Sequence, residues 1–147
     1  MLLTQRVKSA SLIIDYGEMH AFSNSFRGII NQKLIKDEDI LKYSGKCDLS
    51  AYVNFYLLKK VCFLFNKLDF GGIIKQGYFL EYMGINNKVN TILDKNKNNA
   101  SIEKSLNWQY NMLVNLDKMG ETFKCFYLKK RNRASVYPFI PEILDNC

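Results

Sequence analysis

The sequence has little of the chemistry that metal centres and disulfide frameworks require. Among 147 residues there are one histidine, His20, and four cysteines, and no pair of cysteines has the C-x-x-C spacing. Because a Cys/His metal site needs clustered ligands, we predict no metal site. We interpret the cysteines as free thiols in a reducing compartment, with Cys62 in the core. Cys–His catalysis with His20 stays formally open, although no spacing supports it.

Long apolar runs are also lacking from the sequence. No segment approaches the roughly 18–20 apolar residues that span a bilayer, so we predict no membrane span. The first ten residues are too short and mixed for a secretory signal, and they lack the Arg- and Ser-rich character of a mitochondrial presequence. No targeting segment is therefore visible.

Arginine is scarce for a basic protein. The net charge is +7, but most of the basic residues are lysines scattered among asparagines. Base readout favours arginine, so we predict no nucleic-acid partner. A basic nucleic-acid binder remains an alternative, and it would show an affinity that falls steeply with salt. The cluster at residues 129–133 is either a solvated strand end or a surface for an acidic partner.

What the sequence does contain is a packed domain, with 48% hydrophobic and 14% aromatic residues. Leu12, Ile13 and Ile14 form a continuous apolar run, which is typical of a strand covered on both faces. Asp15, Tyr16 and Gly17 follow directly. Ligands of open α/β sheets bind beyond the carboxyl ends of the strands, so this tripeptide is a candidate site wall. The alternative is a strand end with an ordinary turn.

Residues 18–47 are predicted to be a long loop, and loops of this length are often functional. The loop contains Phe26 and Arg27, and a guanidinium beside an aromatic ring is suited to clamp a carboxylate or phosphate. An exposed, salt-bridging arginine is the alternative interpretation. A helix is predicted to begin at Asp48, with Asp48 or Ser50 as its cap. Its apolar stripe is expected at helical spacing, at positions Val53, Leu57, Val61, Leu64 and Leu68.

The remaining elements are predicted from apolar periodicity and glycine positions. Residues 69–72 should end the first helix, and residues 73–77 should form a strand. Two helices should follow, the first closed at Gly84 and the second capped by Ser101, with a polar tip at 94–100 between them. Residues 119–129 alternate like a half-exposed strand, with Phe123, Cys125 and Tyr127 on one side. Residues 2–8 are expected to be helical or to lead into the first strand.

Five segments in order resemble one family, the MidA-like methyltransferases, which include the mitochondrial complex I assembly factor that methylates arginine with S-adenosylmethionine. The segments are L-I-I-D-Y-G at 12–17, S-F-R-G at 25–28, D-L-S-A-Y-V-N-F at 48–55, I-K-Q-G-Y-F-L-E-Y-M-G-I at 74–85 and M-G-E-T-F-K at 119–124. The resemblance covers residues 5–130. Two positions depart from the family pattern: Glu18 stands where members often carry histidine, and Asn54 replaces a carboxylate.

The resemblance implies an α/β fold, namely the C-terminal part of a doubly wound, seven-stranded class I methyltransferase with helical insertions. The strand at 12–15 would be a late parallel strand, and those at 73–76 and 123–128 the last two, the final one antiparallel. Residues 1–130 would be the C-terminal half of the methyltransferase domain, and 131–147 an irregular tail. The Gly-rich cofactor cradle has no counterpart in these residues, so no cofactor-binding residue is predicted here.

The resemblance further implies a function, protein arginine methylation from S-adenosylmethionine in support of mitochondrial complex I assembly, on a complex I subunit as protein substrate. The expected catalytic residues are Asp15, Tyr16 and Glu18. The expected substrate-binding residues are Gly17, Phe26, Arg27 and Asp48. Because the cradle is missing, we expect the 147-residue chain to bind S-adenosylmethionine negligibly and to be inactive alone. The alternative is a non-catalytic remnant that acts as an assembly or interaction module.

Overall fold

Four strands form the main sheet of the computed structural model, which describes residues 10–20, 22–65 and 67–145. The predictions for residues 2–8 and for Cys147 lie outside these residues. The strands are β1 (Ala10–Glu18), β5 (Val53–Asn54), β6 (Leu68–Lys75) and β7 (Phe123–Lys130), in the order β5-β1-β7-β6. β7 is antiparallel to both neighbours, whereas β5 is parallel to β1. β1 and β6 therefore run in the same direction and end at the same edge, and the prediction of a final antiparallel strand is confirmed.

Strands β1 and β7 differ from their predicted solvent exposure in opposite directions. β7 was expected to be half-exposed, but Lys124 to Leu128 are all buried because both faces of this central strand are covered. β1 was expected to be buried on both faces, yet Leu12 and Ile14 are 44% and 49% exposed. They lie opposite Tyr127 and Cys125, on a face where the covering residues reach only β6 and β7. The prediction of a fully covered β1 is therefore wrong for the described chain.

The region predicted as a long loop is a second, three-stranded sheet. It consists of β2 (Arg27–Ile30), β3 (Lys33–Ile35) and β4 (Asp48–Ser50), with 3-10 turns at Asp37–Asp39 and Leu41–Tyr43. Asn31 and Gln32 connect β2 to β3 with φ of 48° and 62°, as two-residue hairpin turns require. The strands are three or four residues long, too short to produce a clear alternation in the sequence.

The first helix starts later than predicted and shows a different face to the core. α1 spans Phe55–Phe63, and its N-cap is Asn54, whose side chain accepts a 2.8 Å hydrogen bond from the Leu57 amide. Asp48 instead pairs with Ile29 in the small sheet, so the prediction that it caps the helix is wrong. The predicted apolar stripe is wrong too, because Leu57 and Leu64 are exposed while Phe55 and Cys62 are buried. The expectation that Cys62 lies in the core is confirmed.

The helical insertion between β6 and β7 agrees with the sequence pattern up to residue 114, but residues 119–122, which were predicted to belong to the last strand, form a short helix instead. It contains α2 (Gln76–Tyr82), α3 (Ile85–Lys95), α4 (Ala100–Val114) and α5 (Met119–Thr122). Gly84 separates α2 from α3 with φ of 84°, a left-handed conformation that glycine adopts without strain. Asn99, rather than Ser101, caps α4 by accepting a hydrogen bond from the Ile102 amide. β6 begins earlier than predicted, so residues 69–72 belong to a strand and not to a helix end.

The segment predicted as an irregular tail contains a short helix, α6 (Pro141–Leu144), and contributes to the core. Phe139 is buried and stacks on Tyr127, with the ring centroids 4.9 Å apart. This cluster covers one face of β6 and β7, while α1 covers the other with Phe55, which stacks on Phe126. No helix among the described residues is long and apolar enough to span a bilayer.

Candidate functional site

A cavity of about 280 Å³ opens where β1 and β6 end and β7 begins. Its walls come from three parts of the chain, and the lining residues are Glu18, Met19, His20, Ile73, Lys75, Glu121 and Lys124. We call it the charged cavity. It lies at the edge of the sheet where β1 and β6, which run in the same direction, have their carboxyl ends. Open α/β sheets bind their ligands beyond the carboxyl ends of their strands.

Two lysines and two glutamates form one network of ion pairs in the charged cavity. Lys124 Nζ lies 3.9 Å from Glu18 Oε2 and 3.5 Å from Glu121 Oε1, and it also donates a hydrogen bond to the Glu121 backbone carbonyl. Lys75 Nζ lies 2.8 Å from Glu121 Oε2. The Lys124 side chain is only 6% exposed, whereas those of Glu18 and Glu121 are 31% and 41% exposed. The ammonium is therefore at the back of the cavity and the carboxylates face its opening.

The network keeps Glu121 ionised. Partial burial by itself would raise the pKa of this carboxyl group, because it disfavours the charged form. The hydrogen bond from Lys75 and the positive charge of Lys124 outweigh that effect and hold the Glu121 pKa below its ordinary value. A ligand entering near neutral pH would therefore meet a carboxylate at Glu121.

Asp15 has a local partner, whereas Tyr16 contacts residues that are distant in sequence. The Asp15 carboxylate accepts a 2.8 Å hydrogen bond from the Tyr16 amide. The Tyr16 hydroxyl is 2.7 Å from Ser50 Oγ, and its ring packs edge-on against Tyr52 and Phe123. Tyr16 thus ties the main sheet to the small sheet, which shapes the wall beside the charged cavity.

Gly17 is required for close packing of the backbone. A Cβ atom at this position would lie 2.1 Å from the Val53 carbonyl oxygen, because β5 runs directly alongside. Its predicted role in substrate binding stays a prediction, but the structure provides a packing reason for the glycine.

Phe26 and Arg27 line a different depression, an open groove of about 420 Å³ formed by strands β2 and β3 of the small sheet and by the segments next to them. The Arg27 guanidinium lies over the Tyr52 ring, 4.8 Å from its centroid, as in a cation–π contact. Asp48 is exposed in β4 and lines neither the groove nor the charged cavity. Of the seven predicted site residues, Glu18 lines the charged cavity, and Phe26 and Arg27 line the groove. The other four line neither.

Sequence reasoning missed Lys75, Glu121 and Lys124 as site residues. All three lie inside segments that carried the family resemblance, at 74–85 and 119–124. Glu121 and Lys124 are three positions apart, which was a signal of proximity. Nothing in the sequence pattern, however, brings them to Glu18 more than a hundred residues away, since that contact depends on the pairing of β1 with β7.

The described residues contain no Gly-rich loop between a parallel strand and a helix. β1 leads into the small sheet, and β6 leads directly into α2, where Gly77 packs against the Val114 carbonyl. A nucleotide cradle of the usual kind needs a glycine loop at a helix N-terminus, so these residues do not supply one.

Comparison with solved structures defines the fold class. The chain superimposes with a TM-score of 0.68 on a candidate methyl transferase from Burkholderia thailandensis bound to S-adenosyl-homocysteine, at 20% identity, covering 86% of this chain and 33% of that one. A native structure of a protein of the same superfamily from that organism gives a TM-score of 0.69 at 19% identity, covering 88% of this chain and 35% of that one. The chain therefore has the fold of the matched part of these two proteins.

Sequence comparison then finds a family and individual proteins that this chain resembles. Residues 2–74 match the family described as "Putative S-adenosyl-L-methionine-dependent methyltransferase". The chain is 37% identical over 134 residues to the human mitochondrial protein arginine methyltransferase NDUFAF7, covering 89% of this chain and 29% of that protein. It is 36% identical over 117 residues to the NDUFAF7 of Danio rerio, covering 80% of this chain and 26% of that protein. The chain is similar to members of this methyltransferase family, and it spans less than a third of the length of these relatives.

Proposed function

We propose that this chain forms the acceptor side of an S-adenosylmethionine-dependent protein arginine methyltransferase that acts in mitochondria and supports complex I assembly. The observation that carries the proposal is the charged cavity at the carboxyl edge of the sheet, with the Glu18 carboxylate at its opening. The likeness to proteins named mitochondrial arginine methyltransferases supports it. The proposed partner is an arginine-bearing complex I subunit rather than a nucleic acid.

Glu18 is the proposed acceptor-binding residue. A guanidinium offers N–H donors in a planar fork, and a carboxylate accepts two of them in parallel. This contact would fix the plane of the guanidinium and aim one nitrogen along a single direction. Transfer of a methyl group in line needs this kind of positioning, which accounts for much of the rate gain when two reactants are held together. The methyl group itself is supplied by S-adenosylmethionine.

Asp15, Tyr16 and Gly17 are proposed to support Glu18 from behind. Tyr16 holds β1 to the small sheet through Ser50, and Gly17 allows β5 to approach β1. Phe26 and Arg27 are proposed to bind the substrate outside the reacting centre, where Arg27 would pair with an acidic residue of the protein substrate. Asp48 is proposed to contact the substrate from the exposed strand β4.

A chimera tests the proposed function. The segment of human NDUFAF7 that aligns with this chain is replaced by the chain, and arginine methylation is measured by mass spectrometry with S-adenosylmethionine present. We expect methylated arginine with the chimera and a large loss with its Glu18→Gln variant. Circular dichroism and S-adenosylmethionine binding establish that both proteins fold.

A chimera that folds and binds S-adenosylmethionine but methylates no arginine would refute the proposal. That outcome would favour the alternative of a non-catalytic interaction module. The same preparations, assayed for complex I assembly in cells that lack the endogenous protein, separate the two. A module without activity would restore assembly even with Glu18→Gln.

A further inference from the structure

The charged cavity contains a second carboxylate that the proposed function does not use. Glu121 is in α5, outside β1, and its Oε1 atom lies 3.5 Å from the same Lys124 nitrogen that Glu18 approaches at 3.9 Å. Both carboxylates therefore approach the same ammonium and line the same cavity. Both remain partly exposed toward the opening.

Lys124 explains how two carboxylates can lie this close together. Like charges at short distance repel each other. The Lys124 ammonium is placed between them and is almost completely buried, so water screens it little. Its charge offsets the repulsion, and the Glu121 pKa lies below its ordinary value as a result of Lys75 and Lys124 together, despite partial burial.

The backbone makes this arrangement rigid. Lys124 is the second residue of β7 and pairs with both Asp15 of β1 and Lys75 of β6, so its Cα is fixed by strands on each side. Its side chain also donates to the Glu121 carbonyl, which ties the end of α5 to the strand. The two carboxylates are thus held by elements that do not depend on a ligand.

We propose that Glu121 is a second acceptor-binding carboxylate and that Lys124 is the positioning residue that holds Glu18 and Glu121 on either side of the cavity. This inference rests on the proposed function, and it makes the acceptor a guanidinium specifically. A guanidinium has N–H donors on two edges and can meet both carboxylates, whereas an ammonium is a point charge with no planar fork. The cavity volume of about 280 Å³ leaves room for one such side chain.

The test measures binding of a defined probe to the whole 147-residue chain by calorimetry. The probe is a blocked glycine peptide with one central arginine, and the comparison peptides carry citrulline or lysine at that position. We expect the arginine peptide to bind at least tenfold more tightly than the citrulline peptide, since citrulline keeps the shape and loses the charge. Equal binding of the two peptides, or no binding of the arginine peptide, would overturn the inference.

Variants then assign the roles. Glu121→Gln should weaken arginine-peptide binding about tenfold, which is the size of one charge-assisted hydrogen bond. Glu103→Gln is the matched control, because Glu103 is exposed in the first turn of α4, and it should bind like the parent chain. Lys124→Arg keeps the positive charge and should retain most of the affinity, while Lys124→Met should lose it. If Lys124→Met does not fold, Glu121→Gln and Lys124→Arg still decide the outcome.

The two proposals fail in different ways. Arginine-peptide binding that needs Glu121, in a chimera that transfers no methyl group, would refute the proposed function and leave this inference standing. Methyl transfer with unchanged kcat/KM in Glu121→Gln would refute this inference alone. A purely structural role for Glu121 would lower the melting temperature of the variant without raising the peptide KM.

Discussion

Phe126 should be the side chain on which the main sheet depends most. It is fully buried, its ring stacks on Phe55 with the centroids 5.6 Å apart, and its centroid lies 5.0 Å from that of Phe70. It is also on the same face of β7 as Lys124, two positions along. Its removal therefore tests both the core and the support of the charged cavity.

The magnitude follows from burial and from the ring contacts. Burying a phenylalanine contributes about 1.5–3 kcal/mol, and each aromatic pair adds about 0.5–1.5 kcal/mol. Since the cavity left by alanine fills only in part, Phe126→Ala should cost about 4 kcal/mol, within the usual range for this substitution. For a domain of this size that corresponds to a fall in Tm of roughly 12 °C.

The assay is urea unfolding followed by circular dichroism, with Phe63→Ala as the matched control. Phe63 is the last residue of α1 and is 58% exposed, so the same chemical change there should cost less than about 1 kcal/mol. The m-values should agree among the three proteins. If Phe126→Ala is no more destabilising than Phe63→Ala, the assignment of Phe126 to the centre of the core is wrong.

Three further predictions concern charge, exposed surface and thiols. The Glu121 pKa is lowered on folding, so the ionised carboxylate stabilises the folded protein fully above the ordinary pKa of 4.5, and this stabilisation is lost as pH falls through the lower folded pKa. Glu121→Gln should therefore flatten the dependence of Tm on pH between 5 and 3. An unchanged dependence would contradict this. Replacing exposed Leu12 and Ile14 of β1 by threonine should raise the soluble monomer fraction in gel filtration without lowering Tm, whereas a large fall in Tm would mean that the face is covered. Burial raises the pKa of Cys125 to about 12, so iodoacetamide at pH 8 should label Cys47 long before Cys125 in peptide mass maps, and equal labelling would refute its burial.

The charged cavity changes how the residues around Glu18 are understood. The family resemblance implied that Asp15, Tyr16 and Glu18 act together as catalytic residues of one site. In the structure, the Tyr16 hydroxyl is engaged by Ser50 and the Asp15 carboxylate by a neighbouring amide, while Glu18 alone of the three lines the cavity. Glu18 approaches Lys124 of β7, which also contacts Glu121 of α5, so the site belongs to the junction of three segments rather than to one strand end.

The small sheet shows where sequence patterns lose their power. Strands of three or four residues contain too few positions to reveal alternation, so residues 18–47 were interpreted as a loop and residues 48–50 as the start of a helix. Asp48 illustrates the consequence, because an acidic residue before an apolar segment is typical of a helix cap. The backbone pairing with Ile29 takes Asp48 into a strand, and Asn54, six positions on, caps the helix instead.

The sequence by itself determined the α/β class, the three main strands, the break at Gly84 and the order of the segments that the family shares. These features depend on local periodicity and on backbone preferences, which are properties of residues that are close together in the sequence. The tertiary structure alone decided that β7 is covered on both faces and that β1 is open on one. Burial depends on which elements pack over a strand, and periodicity does not report this. The contact of Glu18 with Lys124 was likewise decided by strand register, because only the pairing of β1 with β7 brings these distant residues together.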